Sequence, residues 1–244
     1  MSISPRQQEI LKIIGESTYI SVNELAKLTF TSPSSIRRDL TSMQRLGLVK
    51  RSHGGVSLPE TNGSVAGFYN RVTKNIKEKR AIAKKASTLL RDGQSILLDS
   101  STTASFMLPY IAKLDSPIVF TNNLETATSA VKYGINTTCI GGRTINGSVS
   151  LGGAHAYRAL ANINVDIMFF SSQCLSQKGV ISDSTEEENF IRSVMLEHAE
   201  KTVFLCDSGK FNFTSTYTLT TVDNIDIAVF DKPFEQLETK ATIL

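Results

Sequence analysis

Apolar positions in the first quarter of the chain recur at helical spacing. Ile10, Leu11, Ile13 and Ile14 form one short apolar face, Leu25, Ala26 and Leu28 a second, and Ile36, Leu40 and Met43 a third. Each run opens on a start signal. Ser4-Pro5-Arg6-Gln7 and Ser21-Val22-Asn23-Glu24 have the capping-box form, and Ser32 stands before Pro33, whose missing N–H costs nothing at a first helical position. Gly15 and Gly47 mark the ends of the first and third helices, and Phe30-Thr31 make the turn into the third. The pattern then becomes strand-like: residues 48–52 read as a strand, His53-Gly54-Gly55 as a turn, and residues 56–58 as the returning strand. Three helices followed by a hairpin predict a winged helix-turn-helix over residues 1–58.

Residues 59–73 carry Pro, Gly, Asn and Ser with little periodicity and read as a linker, with Phe68 and Tyr69 expected to dock on a neighbouring surface. From Lys74 the pattern alternates. Apolar strands are predicted at 95–98, 117–120, 137–140, 165–170, 202–206 and 225–230. Helical stretches lie between them: 76–90, 102–114 with Pro109 as a kink or stop, 124–133, 153–161, and a long helix capped by Ser184-Thr185-Glu186-Glu187 that runs to about 200. This alternation predicts a doubly wound, largely parallel α/β domain over residues 74–244.

Charge divides the chain unevenly. Residues 1–57 hold eight Lys/Arg and four acids, a balance of +4, whereas the whole chain is +3, so the remainder is −1. The excess in the first quarter points to a polyanion partner for that part alone. No apolar run approaches the roughly 20 residues that span a bilayer. No basic stretch followed by an apolar one marks a signal peptide, so the expected location is cytoplasmic. Cys139, Cys174 and Cys206 are scattered in apolar contexts and are expected as buried thiols. His53, His155 and His198 are equally dispersed, and neither a metal site nor a cofactor is expected.

Candidate chemistry falls in two places. Ser34, Ser35, Arg37 and Arg38 lie off the apolar stripe near the start of the third helix, where arginine can fork onto guanine edges or phosphate. Lys50, Arg51 and His53 make the hairpin basic and are expected along the sugar-phosphate backbone or a minor groove. In parallel sheets, ligands gather at the C-terminal strand ends. Those ends carry Asp99, Ser101, Thr102 and Thr103; then Thr121, Asn122 and Asn123; then Gly141, Gly142 and Arg143; then Ser171, Ser172 and Gln173; then Asp207 and Lys210. Any one tip is ordinary turn chemistry. Together they form a pocket suited to a phosphorylated polyol, with Asp99, Ser101, Thr102, Thr103, Asn122, Arg143, Asp207 and Lys210 as its expected effector-binding residues. No nucleophile with an ordered base is visible, and the acids that could act as a base (Asp99, Asp183 and Asp207) have no evident partner in the sequence. No enzyme is expected.

The run V22-x-E24-L25-A26, S34-S35-I36-R37-R38-D39-L40 and G47-x-V49-x-R51-x-H53-G54-G55 resembles the N-terminal signature of DeoR-type bacterial transcriptional regulators. The resemblance continues through D99-S-S-T102-T103, T121-N122, G141-G142, E188 to M195, D207-S208-x-K210-F211 and I225-D226. It implies a winged helix followed by an effector domain resembling ribose-5-phosphate isomerase. It also implies relief of repression by phosphorylated sugars or related metabolites, and assembly as a homo-oligomer, a dimer or a tetramer. Two departures stand out: Ser101 replaces the family's usual glycine, and residues 170–174 lack its glycines. The resulting expectation is a repressor of a carbohydrate-catabolic operon that binds double-stranded operator DNA and is released by a phosphorylated sugar. The rival expectations are an isomerase-like enzyme fused to a DNA-binding domain and a ligand-dependent activator.

Overall fold

The computed structural model describes residues 4–15, 19–52, 54–58, 65–237 and 239–244. The chain forms two compact units that divide between Ile76 and Lys77.

The first unit begins with α1 (Pro5–Gly15), β1 (Ile20–Ser21), α2 (Val22–Leu28) and α3 (Pro33–Arg45). The caps form as their residues demand. Ser4 and Gln7 exchange reciprocal bonds: the Gln7 amide donates to Ser4 Oγ at 3.2 Å and the Ser4 amide to Gln7 Oε1 at 3.1 Å. Ser21 Oγ accepts from the Glu24 amide and Ser32 Oγ from the Ser35 amide. Strands β2 (Lys50–Ser52) and β3 (Gly55–Ser57) form the wing, with β3 paired between β1 and β2. His53 lies outside the described residues. The apolar faces of the three helices meet in one core built on Ile10, Ile14, Leu25, Ile36, Leu40 and Met43, closed by Val56 from the wing. Asp39, nearly buried, ties α3 to α1: Arg6 Nε donates to its Oδ2 at 2.6 Å.

The expected linker corresponds only in part to irregular chain. Residues 59–64 lie outside the described residues, but α4 (Val65–Thr73) is a helix. Its Tyr69 packs on the core of the first unit, and Phe68 is buried edge-on against it. Burial of these two rings outweighs the weak helical preference of a segment containing Gly67 and Asn70.

The second unit is a seven-stranded parallel sheet with helices on both faces. Its elements are α5 (Ile76–Ala86), β4 (Ser95–Leu98), α6 (Thr102–Ser105), α7 (Leu108–Ile111), β5 (Ile118–Thr121), α8 (Leu124–Lys132) and β6 (Asn136–Cys139), followed by β7 (Arg143–Thr144), β8 (Leu151–Gly152), α9 (Ala154–Leu160) and β9 (Ile167–Phe170). Then come β10 (Cys174–Leu175), β11 (Val180–Asp183), α10 (Glu186–Glu197), β12 (Thr202–Cys206), β13 (Tyr217–Thr221), β14 (Ile227–Phe230) and β15 (Thr242–Ile243). The sheet order is β15-β14-β12-β9-β4-β5-β6. Alternation along the buried strands builds two cores. Val203 and Leu205 face α5, α6 and α7, while Phe204 and Cys206 face α9 and α10.

Several expectations need correction. The predicted 102–114 helix is two short helices, α6 and α7, with Pro109 near the start of the second. The Ser184 capping box does not form: Thr185 is the N-cap and makes no side-chain bond, and the Glu187 carboxylate that would close the box is paired with Arg143. Cys206 is buried, and burial pushes its thiol well up, but Cys139 is exposed because β6 is the edge strand of the sheet. The small sheet β10-β11-β13 and the hairpin β7-β8 rest on strands of two to five residues, too short to announce themselves by alternation.

Phe30, in the turn between α2 and α3, is 98% exposed and holds φ +50°, a left-handed conformation that side chains disfavour. Phe30→Gly is expected to stabilise the protein by about 1 kcal/mol, measured by chemical denaturation. A lower midpoint would contradict the strain.

Candidate nucleic-acid interface and ligand site

Helix α3 presents a continuous polar face because its apolar residues are all spent on the core. Ser34, Arg37, Arg38, Ser42 and Arg45 are exposed, and Ser35 and Thr41 are half-buried. Arg37, Arg38 and Arg45 line an open depression of about 320 Å³ together with Thr41 and Ser42. Among the described residues, Arg37, Arg38, Arg45 and Lys50 enter no ion pair, so their charge is available to an external anion. Arg51 plays a different part from its neighbours. Its Nη1 donates to Thr41 Oγ1 at 3.0 Å, and Thr41 Oγ1 donates to the Arg37 carbonyl at 2.8 Å, so the wing is clasped to α3. Arg37 and Arg51 then flank a second hollow of about 220 Å³ beside Asn23 and Ser52. A short helix with arginines on its open face and a basic wing beside it is the arrangement that docks in a major groove and follows the adjacent backbone.

In the second unit, the connections leave β4 toward β5 and leave β9 toward β12, so the strand order reverses between β4 and β9. The crevice beyond such a reversal is where ligands bind in open α/β sheets. Asp99 follows β4 and Ser171 follows β9, and the two touch: the Ser171 amide donates to Asp99 Oδ2 at 3.4 Å. Asp99 Oδ1 accepts from the Ser101 amide at 3.1 Å and from Ser101 Oγ at 2.5 Å. Ser101 Oγ also accepts from the Ala104 amide, as the N-cap of α6. Ser101 sits at φ −75°, a conformation open to any residue, so serine here meets no backbone obstacle. Its hydroxyl is turned inward to Asp99 and α6. Thr102 and Thr103 are buried, and their amides at the start of α6 have no acceptor among the described residues.

The β12 tip joins the same cluster. Lys210 Nζ donates to Ser171 Oγ at 2.8 Å and lies 3.4 Å from Asp207 Oδ2. At the β5 tip, Asn122 Nδ2 donates to the Leu151 carbonyl, and the neighbouring Asn123 donates to the Ser100 carbonyl. Among the described residues, three buried side-chain oxygens have no partner: Thr103 Oγ1, Asn122 Oδ1 and Thr126 Oγ1. A buried, unsatisfied oxygen is costly, and such atoms are a mark of a place that receives a polar guest.

Not every expected residue is drawn in. Arg143 points outward, with 71% of its side chain exposed, and pairs with Glu187 on α10. Gly142 serves packing rather than ligand approach: a Cβ there would strike the Gly152 carbonyl across the β7-β8 hairpin. The carboxylates that lacked partners in the sequence all have one. Arg192 Nε reaches Asp99 Oδ2 at 3.0 Å, Arg192 Nη1 reaches Asp183 Oδ2 at 3.5 Å, and Asp207 faces Lys210. Arg192 went unnoticed because a lone arginine in a charged helix reads as solvated; it is 3% exposed. Burial disfavours its charge, but Asp99 and Asp183 outweigh that and raise its already high pKa.

A winged helix with an open basic face, joined to an α/β unit with a polar crevice at its switch point, defines a ligand-responsive DNA-binding regulator. Residues 6–62 match the DeoR-like helix-turn-helix domain and residues 74–232 the DeoR C terminal sensor domain. The chain belongs to the DeoR family of transcriptional regulators. It is 32% identical over 228 residues to the HTH-type transcriptional regulator GolR of Listeria innocua, a match covering 93% of this chain and 89% of that one. It is 28% identical over 240 residues to the putative aga operon transcriptional repressor of Escherichia coli O157:H7, covering 96% and 89%. A solved ribose 5-phosphate isomerase from Methanocaldococcus jannaschii is 19% identical over 57% of this chain and 55% of its own, with a TM-score of 0.43. The relatives are named as transcriptional regulators, and this chain shares their family's two domains.

Arg38→Ala is expected to cost about 1–3 kcal/mol of operator affinity if the contact is bidentate to a base, with relaxed preference at one position of the site. Competition binding with single-base operator variants reads both. Unchanged affinity and preference would remove Arg38 from the interface.

Proposed function

We propose that this regulator represses a carbohydrate-catabolic operon in the cytoplasm and leaves its operator when a phosphorylated sugar occupies the crevice at the β4–β9 switch point. Ser34, Ser35, Arg37 and Arg38 read bases and nearby phosphates, while Lys50, Arg51 and His53 hold the backbone. A homo-oligomer places two such helices on half-sites about 34 Å apart or at multiples of that spacing. In the sensor unit, the Thr102 and Thr103 amides and the Thr103 hydroxyl receive the phosphate, Lys210 adds a cation, and Asn122 Oδ1 accepts from a sugar hydroxyl. Asp99 and Ser101 support this loop from beneath.

The observation that carries the reading is the buried Thr103 Oγ1 at the start of α6, which like the Thr102 and Thr103 amides has no partner among the described residues, with a second such oxygen, Asn122 Oδ1, at the tip of the neighbouring strand β5. Donors and acceptors mixed in this way suit a phosphate with a polyol attached better than either alone. The named relatives include a regulator of an L-fucose operon, which supports the carbohydrate assignment. A second reading, a ligand-dependent activator, is favoured by the L-fucose operon activator of Haemophilus influenzae, 29% identical over 228 residues. The sign of coupling depends on which DNA-binding geometry the liganded state prefers.

Fluorescence anisotropy of labelled DNA from upstream of the protein's own operon tests this, with a panel of phosphorylated pentoses, hexoses and polyols added at fixed salt. One member is expected to weaken operator binding by about tenfold or more. Thr103→Val is expected to bind the operator normally and to ignore that member. A member that strengthens binding would favour the activator. Tight DNA binding indifferent to the whole panel would sink the phosphosugar assignment.

A further inference from the structure

The least expected group in the sensor unit is the guanidinium of Arg192. It is buried in α10, yet it faces two carboxylates from other elements, Asp99 after β4 and Asp183 at the end of β11. Its Nη1 also donates to Asn189 Oδ1 at 3.0 Å, and Asn189 Nδ2 donates to the Tyr217 carbonyl of β13 at 2.7 Å. Asp99 in turn gathers the Ser101 amide, the Ser101 hydroxyl and the Ser171 amide. A single planar fork therefore connects α10, β11 and β13 to the loop that opens α6.

We infer that Arg192 is the positioning residue of the effector site, with its guanidinium, anchored on Asp183 and Asn189, holding Asp99 and so fixing loop 100–103 in the shape that receives an anion. The inference rests on the reading of that loop as the phosphate site. Two physical needs converge on this residue. The first is geometric. Loop 100–103 is pinned through Asp99, and Asp99 is itself pinned only if its second oxygen has a rigid donor. Arginine supplies several N–H groups in one plane, so it can serve Asp99, Asp183 and Asn189 together; a lysine ammonium lacks that preset fork. The second is electrostatic. A bare carboxylate buried under an anion-binding loop repels the anion through a medium of low dielectric constant, and Arg192 offsets that charge at 3.0 Å. Lys210 cannot do this instead, since its ammonium already faces Asp207 and Ser171.

The test uses the full-length chain, its Arg192→Lys and Asp183→Asn variants, and Arg192→Met. Three readouts are taken: amide hydrogen exchange, calorimetric titration with inorganic phosphate, and operator anisotropy without additions. Arg192→Lys keeps the charge but loses the fork, and Asp183→Asn keeps the Arg192–Asp99 pair but loosens its anchor. In both, the Ser101 and Ala104 amides are expected to exchange about tenfold faster or more, while the β12 amides keep their protection. Phosphate affinity falls by about tenfold or more and operator affinity changes by less than about twofold. Arg192→Met, if folded, shows the larger loss, which Arg192→Lys partly restores. Unchanged exchange at Ser101 and Ala104 in both conservative variants would overturn the proposal, as would a general loss of protection that includes β12. Faster loop exchange with undiminished phosphate affinity would overturn it too. Faster loop exchange in a protein whose wild type ignores phosphate would uphold Arg192 as the holder of the loop and refute the phosphate reading instead.

Discussion

The sheet of the sensor unit is parallel, so every strand ends at the same edge, but its connections leave β4 and β9 in opposite directions. Where those connections part, Asp99 and Ser171 stand buried at the strand ends, and the chain must satisfy their polar groups by some other means. It does so with an ion pair. Asp99 closes its own loop and reaches Ser171 across the gap, and Arg192 from α10 answers the buried charge. Removing Arg192 leaves Asp99 and Asp183 as buried carboxylates without their cation, a loss of about 3–5 kcal/mol. The loop that opens α6 and the Ser171 contact to Lys210 both meet at Asp99.

The same edge bears on the chemistry open to its carboxylates. A general base needs to lie within reach of a substrate proton and to hold a pKa near the working pH. Asp99 and Asp183 are bound to Arg192 and Asp207 faces Lys210, each in a buried position. Carboxylates held in this way by cations are fixed in orientation, which suits them to building a loop.

Much of this was legible in the sequence, because much of it is local. Caps, helical spacing and turn residues lie within a few positions of one another, and they placed the three helices and the wing. Short apolar runs placed six strands of the large sheet. What was hidden depends on distance. Arg192 and Asp99 are 93 residues apart, and an arginine between Ile191 and Ser193 looks like any charged helix position. Glu187 belonged to a convincing capping box, but Arg143, 44 residues away, claims its carboxylate. Tyr69 makes α4 a helix by burial against a core formed elsewhere. Of the residues expected at the ligand site, Asp99, Ser101, Asp207 and Lys210 are joined by hydrogen bonds or ion pairs into one cluster with Ser171, whereas Arg143 lies outside it because the β7-β8 hairpin carries it to the surface.

The central claim is that one small phosphorylated molecule and one stretch of DNA compete through this chain. Linkage makes the claim sharply testable, because coupling between two binding sites is reciprocal. The decisive measurement is the calorimetric affinity of the full-length protein for its phosphosugar, taken once alone and once with saturating operator DNA. The account predicts that operator DNA weakens phosphosugar binding by the same factor by which the phosphosugar weakens operator binding. An affinity untouched by DNA would contradict it.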